Sequence, residues 1–164
     1  MNYGKDFMNE EKIISLIKDC AKSFRLDPNL CLAIAEHESA FDPTRARFEP
    51  GWKYFVNTAK YAEQLRITEA TERAQQAFSY NVFQVMGSVL RELGFNGALL
   101  LMIQPQLGVF YGCKKISMLS KKYPDEKDVI SSFNQGGPYK EGELYKNQPY
   151  VDAVGKFLME WRSK

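Results

Sequence analysis

Two glutamates, Glu36 and Glu38, stand near the end of an apolar segment that runs from Leu30 to Ala35. Leu30, Ile34 and Glu38 recur every fourth residue, so on a helix they share a face. Glu36 points about 200° around the axis from Glu38. The spacing therefore predicts a Glu38 that follows the core stripe and a Glu36 that follows solvent. A carboxyl group at the apolar end of such a stripe is partly desolvated, which disfavours its charged form and raises its pKa. A general acid working near neutral pH needs that property. Spacing alone favours a plainer reading, a carboxylate at the helix rim paired with Arg45 or Arg47.

The elements that must position Glu38 read as helices almost throughout. Ile13, Ile14, Ile17, Cys20, Ala21 and Phe24 mark a first amphipathic helix. Asp27-Pro28 reads as an N-cap followed by proline in the first turn of the helix that carries Glu38, and Phe41-Asp42-Pro43 ends it. Asp42 is read as a turn residue. Residues 44–77 hold a turn at Glu49-Pro50-Gly51-Trp52 and could form helices over Lys53–Leu65 and Glu69–Ala77. A helix is expected over Val82–Leu93, stopped by Gly94. Another, Pro105–Lys121, is apolar on most sides and so buried. A short helix over Asp125–Phe133 breaks at Gly136-Gly137-Pro138. The last helix follows Pro149, with Val151, Val154, Phe157, Leu158 and Trp161 as its inward stripe. No strand-like alternation of useful length is present, and residues 142–148 read as a loop over a groove.

Length and composition set outer limits. The chain has 164 residues, 45% of them hydrophobic, which fits one domain with a real core. Its 22 basic and 20 acidic residues leave a net charge of +2, which gives no case for a nucleic-acid partner. The three cysteines, Cys20, Cys31 and Cys113, are odd in number and lack C-x-x-C spacing, which argues against a disulfide framework or a zinc site. Cys20 and Cys31 read as small core residues. No metal or cofactor is expected. Met1–Asn9 is polar, so no signal peptide and no membrane span are read there.

The segment Ala33-Ile34-Ala35-Glu36-His37-Glu38-Ser39-Ala40-Phe41-Asp42-Pro43 resembles the first motif of the lytic transglycosylase family (soluble type, goose-lysozyme-like). There an apolar helix ends in Glu-Ser before an aromatic-Asx-Pro segment. Ser79-Tyr80-Asn81-Val82-Phe83-Gln84-Val85-Met86 resembles the second motif, Ser132-Phe133-Asn134-Gln135-Gly136 the third, and Tyr150-Val151 the fourth. The four stand in family order across roughly residues 27–160. There are departures. Asn81 stands where the family usually has Gly, Phe83 where it has Met, and Phe133 where it has Tyr. The gap between Glu38 and Ser79 is longer than in many members, which implies that residues 44–77 are an insertion or a variant lobe. Arg47-Phe48-Glu49-Pro50-Gly51-Trp52 within that gap is similar to the phage-associated branch.

The resemblance implies an all-α, lysozyme-like fold with a substrate groove between helical lobes. It implies cleavage of the β-1,4 bond between N-acetylmuramic acid and N-acetylglucosamine in peptidoglycan, with Glu38 as catalytic acid and base and a 1,6-anhydromuramic product. Tyr150 would support Glu38. Ser39, Ser79, Tyr80, Gln84 and Asn134 would bind substrate. Before the resemblance, Ser79 reads as well as an N-cap, Gln84 as a surface amide and Asn134 as a turn residue. Glu49 is the candidate second carboxylate. It orients Glu38 or substrate, or it is a surface group beside Arg47. Trp52, Tyr54 and Tyr80 could stack on sugars or simply pack, and His37, the sole histidine, is read as a bystander. The rivals are a hydrolytic muramidase using Glu49, which would need that second carboxylate, and a non-catalytic glycan-binding or virion structural domain. The expected partner is the glycan strand, for a monomer or a component of a phage particle. In the cell the enzyme is expected to be cytoplasmic until release to the cell wall, or virion-associated.

Overall fold

The computed structural model describes residues 9–164; the polar stretch from Met1 to Met8 lies outside the described residues. Helices dominate: α1 (Glu10–Ser23), α2 (Pro28–Ser39), α3 (Thr58–Leu65), α4 (Glu69–Gln76), α5 (Gly87–Glu92), a 3-10 segment (Leu99–Ile103), α6 (Pro105–Lys122), α7 (Glu126–Gln135) and α8 (Gln148–Arg162). The capping residues start them as their chemistry requires. Asn9 accepts the Lys12 N–H, Asp27 the Asn29 N–H and Asp125 the Lys127 N–H.

Short strands interrupt the helices, contrary to the sequence reading. β1 (Ala46–Phe48), β2 (Phe78–Tyr80) and β3 (Val85–Met86) pair antiparallel in that order, with Ser79 between Arg47 and Met86. β4 (Lys140–Glu141) and β5 (Leu144–Tyr145) form a hairpin where a loop was expected. Pieces of two or three residues are too short to show an alternating pattern.

α2 is the hub. Every residue from Leu30 to Ala35 is buried, and the helix packs against α8 and α1. A helix that is apolar all round belongs in the interior. This corrects the two-face reading, because α2 has no solvent side along that run. Glu36 is half-buried rather than solvent-facing, and its Oε2 accepts the Trp161 Nε1–H of α8 at 2.6 Å. The turn after α2 is unusual. Ala40 and Phe41 both adopt left-handed backbone, at φ +52° and +62°, and Phe41 is buried edge-on to Trp161.

Two further expectations are corrected. The predicted helix over Val82–Leu93 is helical only from Gly87, because Asn81 and Gln84 are left-handed (φ +64° and +45°) and turn the chain back onto β2. The predicted helix from Lys53 begins only at Thr58. α6 is buried along one stripe, Gly108, Val109, Gly112, Cys113, Ile116 and Ser117, while Phe110 and Met118 remain exposed. The two glycines let other segments lie directly on its backbone. A Cβ at Gly108 would come within 1.9 Å of the Asn81 side chain, and one at Gly112 within 2.1 Å of the Phe83 ring.

Candidate active site

Glu38 stands three residues past the buried run of α2, half-buried, and meets the start of α8. The Tyr150 hydroxyl donates to Glu38 Oε1 at 2.8 Å. Burial pushes the Glu38 carboxyl above the usual carboxylate range. The Tyr150 hydrogen bond and the cations Lys115, Arg47 and Arg45 pull in the other direction without cancelling it. Burial and the neighbouring carboxylate raise the Tyr150 phenol well above its ordinary value, so it stays protonated and a donor. His37, read as a bystander, packs edge-on against the Tyr150 ring at 4.8 Å and 87°. Burial lowers its pKa, which keeps the imidazole neutral near pH 7. It therefore braces the tyrosine rather than carrying charge beside the acid. No ion pair joins Glu38 to Arg45 or Arg47 among the described residues.

The second motif forms a tight, self-bonded turn. Ser79 is buried and donates to Gln84 Oε1 at 3.0 Å. Gln84 Nε2 donates to Asn81 O at 2.7 Å and Arg45 O at 3.1 Å. The Asn81 amide is equally engaged, donating to Met102 O at 2.7 Å while its Oδ1 accepts the Val82 N–H. A left-handed φ at position 81 accounts for the glycine usual there in the resemblance, and asparagine tolerates that conformation better than most other residues. Ser39 is buried, and its hydroxyl donates to Val82 O at 2.9 Å, tying the end of α2 to this turn instead of facing outward. Tyr80 is also buried, and its hydroxyl donates to Gln75 O, so its ring is not a stacking platform. Trp52 is half-buried and donates to Tyr54 O and Ser88 Oγ, while Tyr54 is exposed.

Glu49 is drawn to Arg47, which donates from Nε to Glu49 Oε1 at 2.7 Å. The charges that act on the Glu38 carboxyl are the cations Lys115, Arg47 and Arg45. Asn134 is exposed at the end of α7, and its Oδ1 accepts from Asn147 Nδ2 at 3.1 Å.

Two residues near the site were not anticipated. Asn147 occupies the N-cap position of α8 but makes no capping bond with its side chain. Its side chain instead accepts from Ser131 Oγ at 2.8 Å and donates to Ser131 O and Asn134, which fixes the start of α8 against α7. Lys115 lies on the buried side of α6, and its Nζ donates to Phe133 O at 2.8 Å. A lysine in register with Gly108 and Gly112 was the available signal. The cavity of about 430 Å³ between Ser23–Leu26 of the first helix end and Ser117, Ser120 and Lys121 contains none of these residues.

Residues 15–148 match the family model described as Transglycosylase SLT domain. No curated protein and no solved structure matches the chain. No described helix is long and apolar enough to cross a membrane.

Proposed function

We propose, because the chain belongs to the transglycosylase SLT family, that Glu38 is the single catalytic carboxyl group of a peptidoglycan lytic transglycosylase. The observation that carries this reading is a half-buried carboxyl, held toward its protonated form by burial and oriented by the Tyr150 hydroxyl at 2.8 Å. Glu38 gives its proton to the glycosidic oxygen as the C1–O bond to N-acetylglucosamine breaks. Positive charge develops at C1 of the muramic residue. The carbonyl oxygen of the substrate's own N-acetyl group closes on C1 and holds that charge. The Glu38 carboxylate then takes the proton of the C6 hydroxyl, O6 attacks C1, and the acetamido oxygen leaves. The acid is restored, a 1,6-anhydro ring is formed, and water is neither consumed nor released.

Glu49 supports this reading over the hydrolytic one. A hydrolase needs a second carboxylate aimed at C1 or at water, whereas Glu49 is engaged by Arg47. Asn134, exposed beside the start of α8, is the best placed of the proposed substrate-binding residues. Ser79 and Gln84 shape the turn that carries them. The Arg47–Trp52 segment supports a phage lysin acting on the host wall.

Digestion of purified peptidoglycan followed by mass spectrometry of the soluble fragments tests the proposal. Fragments with anhydro ends from the native enzyme, and a fall of about 10²–10⁴-fold for Glu38→Gln, are expected. Reducing ends would replace transglycosylation by hydrolysis. Equal release by Glu38→Gln would remove Glu38 from the chemistry.

A further inference from the structure

α6 lies outside all four motifs, yet its inward side meets two of them. Gly108 receives Asn81 and Gly112 receives Phe83, both of the second motif. One turn further on, Lys115 reaches the third. Its Nζ sits 4.0 Å from the centre of the Phe133 ring and donates to the Phe133 carbonyl. Phe133 is buried and packs toward Phe83, so the two motifs and α6 meet at one place. The Phe133 carbonyl belongs to the last turn of α7, where helix carbonyls lack backbone partners and where a cation is favoured. The next residue is Asn134.

We propose that Lys115 is a positioning residue of this active site: its ammonium fixes the end of α7, and with it Asn134, and holds a positive charge on the side of the site toward Glu38. The proposal rests on Glu38 being the catalytic acid. The two groups act on each other: Glu38 favours the charged ammonium and Lys115 favours the carboxylate. A carboxylic acid whose conjugate base is stabilised in this way gives up its proton more readily in the transition state. Burial pushes Lys115 down to about 8, against the pull of Glu38 and Glu92. The other groups that face the pair are Tyr150 on α8, His37 against it, and Arg45 and Arg47 on the sheet side.

Lys114 provides the control. It makes the same kind of contact at another helix end, donating to Leu93 O at 2.7 Å rather than to the third motif. A role confined to capping would make the two lysines equivalent.

The experiment is a carbon-13 NMR titration of the glutamate side-chain carboxyls, with the Glu38 signal identified by its loss in Glu38→Gln. It is run on the native protein, Lys115→Met, Lys115→Arg and Lys114→Met. In Lys115→Met the Glu38 midpoint is expected to move upward, the alkaline limb of kcat/KM to move with it, and kcat to fall about tenfold through loss of a charge-assisted bond. Lys115→Arg and Lys114→Met are expected to leave the midpoint in place. If Lys115→Met does not fold, Lys115→Gln, which keeps a donor without the charge, is titrated with the same expectation. An unmoved midpoint in the uncharged Lys115 variant, or an equal movement in Lys114→Met, overturns the proposal. Full activity in Glu38→Gln overturns the catalytic reading instead, and the NMR result does not depend on it.

Discussion

Burial disfavours the Glu38 carboxylate, so the folded state keeps the proton to higher pH than the unfolded chain does. The sign of the consequence follows from linkage. Between the unfolded and folded pKa values the native state binds more protons, and stability falls as pH rises through that window. Above it the penalty is complete. Glu38→Gln keeps an acceptor for the Tyr150 hydroxyl and removes the ionisable group. It is therefore expected to melt at a higher temperature than the native protein at pH 7, with the difference shrinking as pH falls below the ordinary carboxylate range. Calorimetry at several pH values checks this. A Glu38→Gln variant less stable than the native protein at pH 7 would mean that the carboxylate is not held at a cost. The left-handed Ala40 and Phe41 directly after the acid add local strain of the kind that a site, rather than a core, retains.

At the scale of elements, α2 and α8 were legible because an apolar run in the first, an apolar stripe in the second and proline-led starts in both survive in the sequence. Glu38 continues the register of Leu30 and Ile34, but that spacing alone favoured a rim carboxylate, and it was the motif resemblance that singled it out as the candidate acid. The second motif was not legible as a turn. Its conformation depends on left-handed Asn81 and Gln84 and on a seat in α6 that no local pattern reveals. Ser39, Ser79 and Gln84 were assigned to substrate from the resemblance, whereas their hydrogen bonds build that turn. The seat is open to test. Gly112→Ala gains helix propensity of about 1 kcal/mol, yet its new methyl would meet the fully buried Phe83 ring at 2.1 Å. Overpacking of about 1–3 kcal/mol is expected to outweigh the gain, with loss of activity because Phe83 adjoins Gln84. Gly155→Ala in α8 meets nothing within 4 Å and is expected to stabilise by up to about 1 kcal/mol. Urea denaturation separates the two, and equal stabilisation by both would mean that α6 does not set the turn.

For the molecule as a whole, the question is what holds the lobe of α3 and α4 to the helices that carry Glu38 and Tyr150. Tyr61, Ala62 and Ala77 are buried but lie apart from the main apolar cluster. The connection is polar. Arg91 of α5 donates from Nε and Nη2 to the two oxygens of Glu72 in α4, at 2.8 and 2.9 Å, and from Nη1 to Phe95 O and Gly97 O. Its guanidinium lies 4.1 Å from the Tyr61 ring centre, and Gln76 completes the Glu72 oxygens. Both charged side chains are fully buried. Nothing in the sequence pairs residues 72 and 91, because they sit on different helices and neither falls in a motif. Removing one partner leaves the other charge buried alone, so Glu72→Ala is expected to cost about 3–5 kcal/mol. Replacing both, as Glu72→Leu with Arg91→Met, is expected to cost less than the single change, since no orphaned charge remains. α4 leads directly into β2, so the Glu72→Ala lobe is also expected to be cut first in limited proteolysis and to lose activity before α2 and α8 unfold. Denaturation midpoints and the order of proteolytic fragments decide it. A Glu72→Ala protein with native stability would show that the lobe is held by its apolar contacts, and that the sheet beside Glu38 needs no ionic anchor.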